Sequence, residues 1–227
     1  MAYSAADAPV EERAKFIERT YLHLAGAIAA FVGLEAIFLN TPAIVKLGLG
    51  MLQSWWLVLI LFMGVGWIAE RWAQSGGSKA KQYLGLALYV VLEAFIFVPL
   101  LFIAQVYAAQ TGDAIIVPAG VSTLAIFAAL TGFVMFTKRD FSWMRGVLAM
   151  VTLGAIGLIF ASMIFGFGLG VIFTVAMVVL AACYILYYTS NVLHHYRTDQ
   201  HVAAALALFS AVALLFWYII QLFMSRD

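Results

Sequence analysis

The chain has 227 residues, of which 66 % are hydrophobic and 10 % charged, with a mean hydropathy of +1.04 and a formal net charge of +1. Soluble domains carry roughly 45–50 % apolar and about 25 % charged residues, so composition excludes that class and indicates a polytopic membrane protein. The near-neutral charge leaves no basic stripe for phosphates, so nucleic acid is not an expected partner, and the lone Cys183 allows no intramolecular disulfide.

The first twenty residues hold Glu11, Glu12, Arg13, Lys15, Glu18 and Arg19, the opposite of a cleavable apolar signal. Phe16 and Ile17 among these charges predict an amphipathic lead-in over residues 9–20, lying at the membrane face. Seven apolar stretches come after it, at 21–40, 55–72, 83–107, 118–137, 146–165, 169–188 and 200–223. A hydrocarbon core of about 30 Å needs roughly 20 residues of helix, and these lengths meet it. Hydrocarbon offers no partner to a free backbone N–H, so each stretch must be helical rather than an open strand. The links are short. Residues 41–54 form a semi-apolar link expected along the interface, Gly76, Gly77 and Ser78 a flexible turn, and Gly166, Gly168 and Gly170 a charge-free hairpin. No soluble domain fits between helices, so residues 1–227 read as one transmembrane domain with 1–20 as its lead-in.

Lys and Arg give the orientation. Arg13, Lys15, Arg19, Arg71, Lys79, Lys81, Lys138, Arg139, Arg145 and Arg197 gather on one side, against Lys46 and Arg226 on the other. This bias predicts a cytoplasmic N-terminus and, with seven spans, an external C-terminus. The seventh stretch opens on alanine. Ala203, Ala207 and Ala211 recur every four residues, with Ala204 and Ser210 beside them. Small residues on one stripe let membrane helices approach closely, which predicts a central last helix; plain helix propensity is the other explanation.

Two carboxylates fall inside spans. Glu93 lies near the middle of the third stretch, six residues before Pro99, and Glu35 about a turn from the outer end of the first. An ionisable group at the bilayer centre costs on the order of 3 kcal/mol on insertion scales. Such groups face a cavity or a partner, so Glu93 and Glu35 are candidates for a proton or cation pathway. Their other reading is hydrogen-bonded helix packing. Tyr184, Tyr187 and Tyr188 precede a turn expected to carry His194, His195, Arg197, Asp199 and His201. With no Cys or paired carboxylates beside them, these histidines predict an interfacial turn and no metal site. Asp199, or Thr198, is the expected cap of the last helix. There is no HExxH, GxSxG or P-loop, and GFGLG joins two membrane helices, so neither an enzyme nor a bound cofactor is expected.

The run TKRDFSWMRG, Thr137 to Gly146, resembles the signature of the Bax inhibitor motif family of membrane proteins. RTYLHLAG from Arg19, TSNVLHHY from Thr189 and the closing FWYIIQLF are similar to other parts of that family. Short loops look more like its bacterial members, which points to a bacterial inner membrane. The resemblance implies an all-α bundle of seven transmembrane helices, six around a central C-terminal seventh. It also implies a pH-sensitive calcium leak and a role in stress tolerance. In members credited with the leak two aspartates mark the site, and the matching positions here are Tyr188 and Ala211. A Ca²⁺ ion wants six to eight oxygens, usually including carboxylates; tyrosine offers a neutral hydroxyl and alanine nothing.

Two functions are therefore expected. One is a leak for calcium or protons in which Glu93, with Glu35, replaces the aspartate site. The other is a non-conducting regulator that modulates a membrane-protein partner, with Lys138, Arg139 and Asp140 as the contact loop. The simpler reading of that loop is that Lys138 and Arg139 set topology and Asp140 begins the next helix.

Overall fold

A proline fixes its own backbone and has no N–H to satisfy, which suits it to the start of a helix. α1 (Val10–Leu39) begins directly after Pro9, whose carbonyl takes the first helical bond from Arg13 N at 2.9 Å. It then runs 30 residues, about 45 Å at helical rise, so the expected lead-in and first span are one helix. Nothing between residues 20 and 21 interrupts it. Phe16, Thr20, Leu24, Ala27, Phe31 and Glu35 are its buried residues, spaced by three and four on a single stripe. The Thr20 hydroxyl is satisfied within the helix, donating to the Phe16 carbonyl at 2.9 Å. Ahead of α1, Ala5 N donates to the Tyr196 carbonyl at 2.8 Å, beside an isolated bridge between Ser4 and Arg197.

The computed structural model describes residues 4–75 and 78–225, apart from five side chains between positions 55 and 62. They fall into two compact units. One is the chain as far as Val106 with His195–Phe209; the other is Tyr107–His194 with the chain from Ser210 onward.

In the first unit, the link expected along the interface is itself helical: α2 (Pro42–Met51), then a single 3₁₀ turn at Leu52–Ser54. Pro42 sits in its first turn, where its missing N–H costs nothing. At Gly48 the α2 backbone meets α4, because a Cβ there would stand 2.8 Å from Val98 Cγ1. α3 (Trp55–Ala73) and α4 (Lys79–Thr111) come next; Gly76 and Gly77 of the expected turn lie outside the described residues, as does Arg226. These two helices touch backbone to backbone at Gly85, between the buried Ala69 and Ala73. α4 reaches 33 residues, four longer at each end than the 83–107 stretch, and Pro99 lies inside it without ending it.

In the second unit, α7 (Gly170–His194) packs along α5 (Ile116–Thr137) and α6 (Met144–Phe165). Leu148, Met177, Leu180 and Tyr218 form a core cluster, and Phe173 stands edge-on to Tyr218 at 6.2 Å. Phe136 and Ile172 are 90 % and 87 % exposed. Water would penalise such surfaces, whereas helices facing lipid require them.

α8 (His201–Met224) gives its first nine residues to one unit and the remainder to the other. It is the most covered helix: 72 % of its most apolar window is buried, against 50 % for α4 and 6 % for α6. Ala203 and Ala211 are buried and Ala207 is half-buried, so the alanine stripe faces protein. Among the described residues six helices are long and apolar enough to cross a membrane: α1, α4, α5, α6, α7 and α8. The 19-residue α3 is the remaining expected span. The protein is an all-helical integral membrane protein.

The turn before α8 is tighter than expected. His194 ends α7 and His201 opens α8, leaving residues 195–200 between them. Asp199 is not a helix cap. Its Oδ2 takes the Arg197 guanidinium at 2.9 Å and its buried Oδ1 has no hydrogen-bond partner. A charged neighbour two residues away offers a stronger, charge-assisted bond than a backbone N–H.

Candidate functional site

The two buried acids belong to the same unit. Glu35 is 5 % exposed and stands on the buried stripe of α1, one turn past Phe31. Glu93 is 7 % exposed on α4, one turn before Phe97 and one turn after Tyr89. Phe31 stands edge-on to Phe97 at 5.1 Å and to Phe209 at 5.9 Å, and Tyr89 edge-on to Phe209 at 6.2 Å. This aromatic cluster joins α1, α4 and the first turns of α8, and each acid flanks it on its own helix. Edge-to-face pairs are geometrically specific, so the cluster fixes how α1 and α4 meet between the turns that carry the two acids. Both Glu35 oxygens are buried and neither has a hydrogen-bond partner. The packing reading of Glu35 therefore lacks the hydrogen bond on which it depends.

Tyr188 and Ala211 lie in the second unit. Tyr188 stacks on Tyr184, with ring centres 5.5 Å apart and planes 22° apart, and tilts against Tyr187 at 5.2 Å. The Tyr184 hydroxyl shares a 2.7 Å hydrogen bond with Thr152 Oγ1. Ala211 is 2 % exposed and presents only a methyl group. An aromatic stack and a methyl stand at the two positions that the resemblance matched to aspartates, and neither is an oxygen donor set for a hard cation. Among the described residues no group of three His, Cys, Asp or Glu is placed to hold a metal ion.

The most recognisable sequence runs meet in the second unit. Lys138 ends α5 in the left-handed region (φ 51°, ψ 26°), its N–H bonded to the Val134 carbonyl at 2.8 Å. That conformation usually selects glycine and costs a side-chain-bearing residue on the order of 1 kcal/mol. Lys138 and Arg139 also place positive charge at the negative end of α5. The turn is held from α7. Phe141 N donates to Ser190 Oγ at 2.8 Å, and the Ser190 hydroxyl faces the Arg139 carbonyl at 3.4 Å and Asp140 Oδ1 at 3.3 Å. Asp140 Oδ1 accepts from Ser142 N at 2.8 Å, so Asp140 shapes the turn and does not begin α6, which starts at Met144. Replacing Ser190 by Ala is expected to leave Phe141 N–H unpaired, costing about 1–3 kcal/mol. Hydrogen exchange at Lys138–Phe141 checks it, and protection equal to the wild type would show that the hydroxyl does not hold the turn.

The histidines divide. His194 Nδ1–H donates to the Ser190 carbonyl at 3.0 Å, one turn back in α7, and His195 is exposed in the turn. His201 is buried, its Nδ1 has no hydrogen-bond partner, and its ring stands edge-on to His23 at 4.9 Å. His23 Nδ1 contacts the Arg19 carbonyl at 2.6 Å and its Nε2 the Tyr83 hydroxyl at 3.2 Å. With Nδ1 donating to a carbonyl, a neutral ring accepts from Tyr83 at Nε2. Sequence reasoning missed His23 and Tyr83. Their only signal is position, each at the charged end of an apolar helix, and a partner sixty residues away leaves no local pattern.

The chain matches the family model described as inhibitor of apoptosis-promoting Bax1 over residues 13–227. It is similar to an uncharacterized protein of Chlamydia muridarum, 28 % identical over 187 residues, covering 76 % of this chain and 77 % of the relative. It is also similar to an uncharacterized protein of Pseudomonas aeruginosa, 23 % identical over 172 residues, covering 73 % and 72 % respectively. The model spans every helix from the first turn of α1 to the end of α8, including the loop that Ser190 holds, and the chain belongs to this Bax inhibitor family.

Proposed function

We propose that the protein is a proton leak of a bacterial inner membrane, serving stress tolerance, in which Glu93 with Glu35 does the work of the missing aspartates. One observation carries the reading: both acids are buried in one unit flanking the same aromatic cluster, and the Glu35 oxygens have no partner. A carboxyl passes a proton without a ligand shell, whereas Ca²⁺ needs six to eight oxygens. The stacked Tyr188 and the Ala211 methyl offer none of the carboxylates that calcium conduction would use. Proton transfer is the activity, without catalysis or a bound cofactor. The supporting arrangement is seven spans, six of them, including α3, around a central α8, with the N-terminus cytoplasmic, and the high burial of α8 and the Lys/Arg bias favour it.

Purified protein in liposomes is the test. Proton flux above protein-free liposomes is expected, with Ca²⁺ flux at their background. No proton flux sinks the leak, and calcium flux sinks its restriction to protons.

A second reading, a non-conducting regulator of a membrane-protein partner, draws on the exposed Lys138, Arg139 and Asp140 on a turn fixed by Ser190. A preformed charged turn gives up little entropy on docking. Crosslinking in native membranes then recovers a stoichiometric partner, lost when the three residues are replaced.

A further inference from the structure

A groove of about 500 Å³ opens between α1 and α4 in the first unit, lined almost wholly by apolar atoms. Leu22, Gly26, Ala30 and Leu34 form one wall, and Leu86 and Val90 belong to the other. It runs from Leu22 to Leu34 along α1, about 18 Å at helical rise. A slot of that length and volume accepts a single acyl chain.

The ends of the groove differ. His23 and Tyr83 line its beginning, hydrogen-bonded to each other across it at 3.2 Å. One turn before His23 on α1 is Arg19, and one turn before Tyr83 on α4 is Lys79, each in line with the groove residue one turn further on. Both side chains are exposed. The His23 ring stands edge-on to His201 at 4.9 Å, so the two histidines meet at the end of the groove that lies one turn from Arg19 and Lys79. Asp199 acts on His201, but its charge is answered by Arg197 at 2.9 Å. The amino-terminal end of α4 adds its positive dipole at Lys79. Two cationic side chains, Arg19 and Lys79, therefore stand beyond the His23–Tyr83 pair at the mouth of an apolar slot.

We propose that this groove is a seat for a single anionic phospholipid, its acyl chain between α1 and α4 and its phosphate among Arg19, Lys79 and the His23–Tyr83 pair. The complementarity is of both kinds, charge at one end and hydrocarbon along the rest, which is how basic pockets between transmembrane helices hold lipid head groups. The assignment is independent of the proton leak.

Gly26 supplies a clean probe. It lines the groove, a Cβ built on it meets nothing within 4 Å, and leucine is a better helix former than glycine. Gly26→Leu therefore puts a branched side chain into the slot with no neighbour to displace at its Cβ. The experiment is native mass spectrometry of the purified protein with equimolar phosphatidylglycerol and phosphatidylcholine of identical acyl chains. The wild type is expected to retain one phosphatidylglycerol with a preference on the order of 10-fold, as two basic side chains imply. Arg19→Gln with Lys79→Gln is expected to equalise the two lipids, and Gly26→Leu to lose both, with a melting temperature at or above that of the wild type. Equal retention by the wild type overturns the proposal, as does unchanged phosphatidylglycerol retention in either variant. A dimer that forms in place of lipid binding and disappears in Gly26→Leu would give the groove to a second copy of the chain, and also overturns it.

Discussion

Liposomes carrying Glu93→Gln are expected to hold a pH gradient as long as protein-free liposomes do, while the wild type dissipates it. Glutamine keeps the shape and hydrogen-bonding capacity of the side chain and removes only the exchangeable acid proton. The position is 7 % exposed in the middle of α4, one turn from Phe97. A neutral amide is no costlier to place there than an ionisable group, so the variant is expected to insert, elute and melt like the wild type. Loss of flux then reports on chemistry and not on folding. Glu35→Gln is expected to lower the flux as well, since the Glu35 oxygens have no bond that would fix them as a packing device. Proton flux that survives Glu93→Gln unchanged removes Glu93 from the pathway.

Gly85→Leu is expected to prevent the first unit from forming. A Cβ at position 85 would stand 2.5 Å from the Ala69 carbonyl oxygen and 2.7 Å from Ala73 N. These are backbone atoms of α3, so no rotamer change relieves the overlap and the helices must part. Overpacking a well-filled interior costs typically 1–3 kcal/mol, and separating a helix pair along its contact exceeds that range. Gly85→Ala is expected to lower the melting temperature in detergent, and Gly85→Leu to yield no monodisperse protein. Gly33→Ala is the control: nothing lies within 4 Å of a Cβ there, and exchanging glycine for alanine in a helix adds up to about 1 kcal/mol. Normal behaviour of Gly85→Leu would mean that α3 and α4 do not meet there.

The helices were legible because hydrocarbon leaves the backbone no alternative to helix, and apolar length alone then locates each span. At the start of α1, where the boundary differs from expectation, charge is the reason. Residues 9–20 read as a separate lead-in because Glu11 to Arg19 contrast with the apolar run beyond Thr20, yet Phe16, Thr20 and Leu24 carry the same stripe across the boundary. The burial of Glu35 and Glu93 was legible too, since an acid inside an apolar run stands out. Their shared aromatic neighbours were not: Phe31, Phe97 and Phe209 are ordinary residues of membrane helices until the fold brings them within 5.1 and 5.9 Å. Ser190 shows the same limit. It was visible as part of a motif, but its bond to Phe141 spans 49 residues. The expected Asp199 cap failed because propensity ignores the guanidinium two residues away.

The continuity of α1 has a mechanical consequence. A helix of 30 residues with no internal proline transmits displacement along its length as a stiff rod. Its amino-terminal turns carry Glu11, Glu12 and Arg13 outside the apolar stretch, and Glu35 rides on the same rod near its far end. A push or twist applied to those outer turns, by lateral tension in the bilayer or by a neighbouring molecule, has no joint in which to dissipate. Glu35 lies on that same unbroken helix, on the stripe that begins at Phe16.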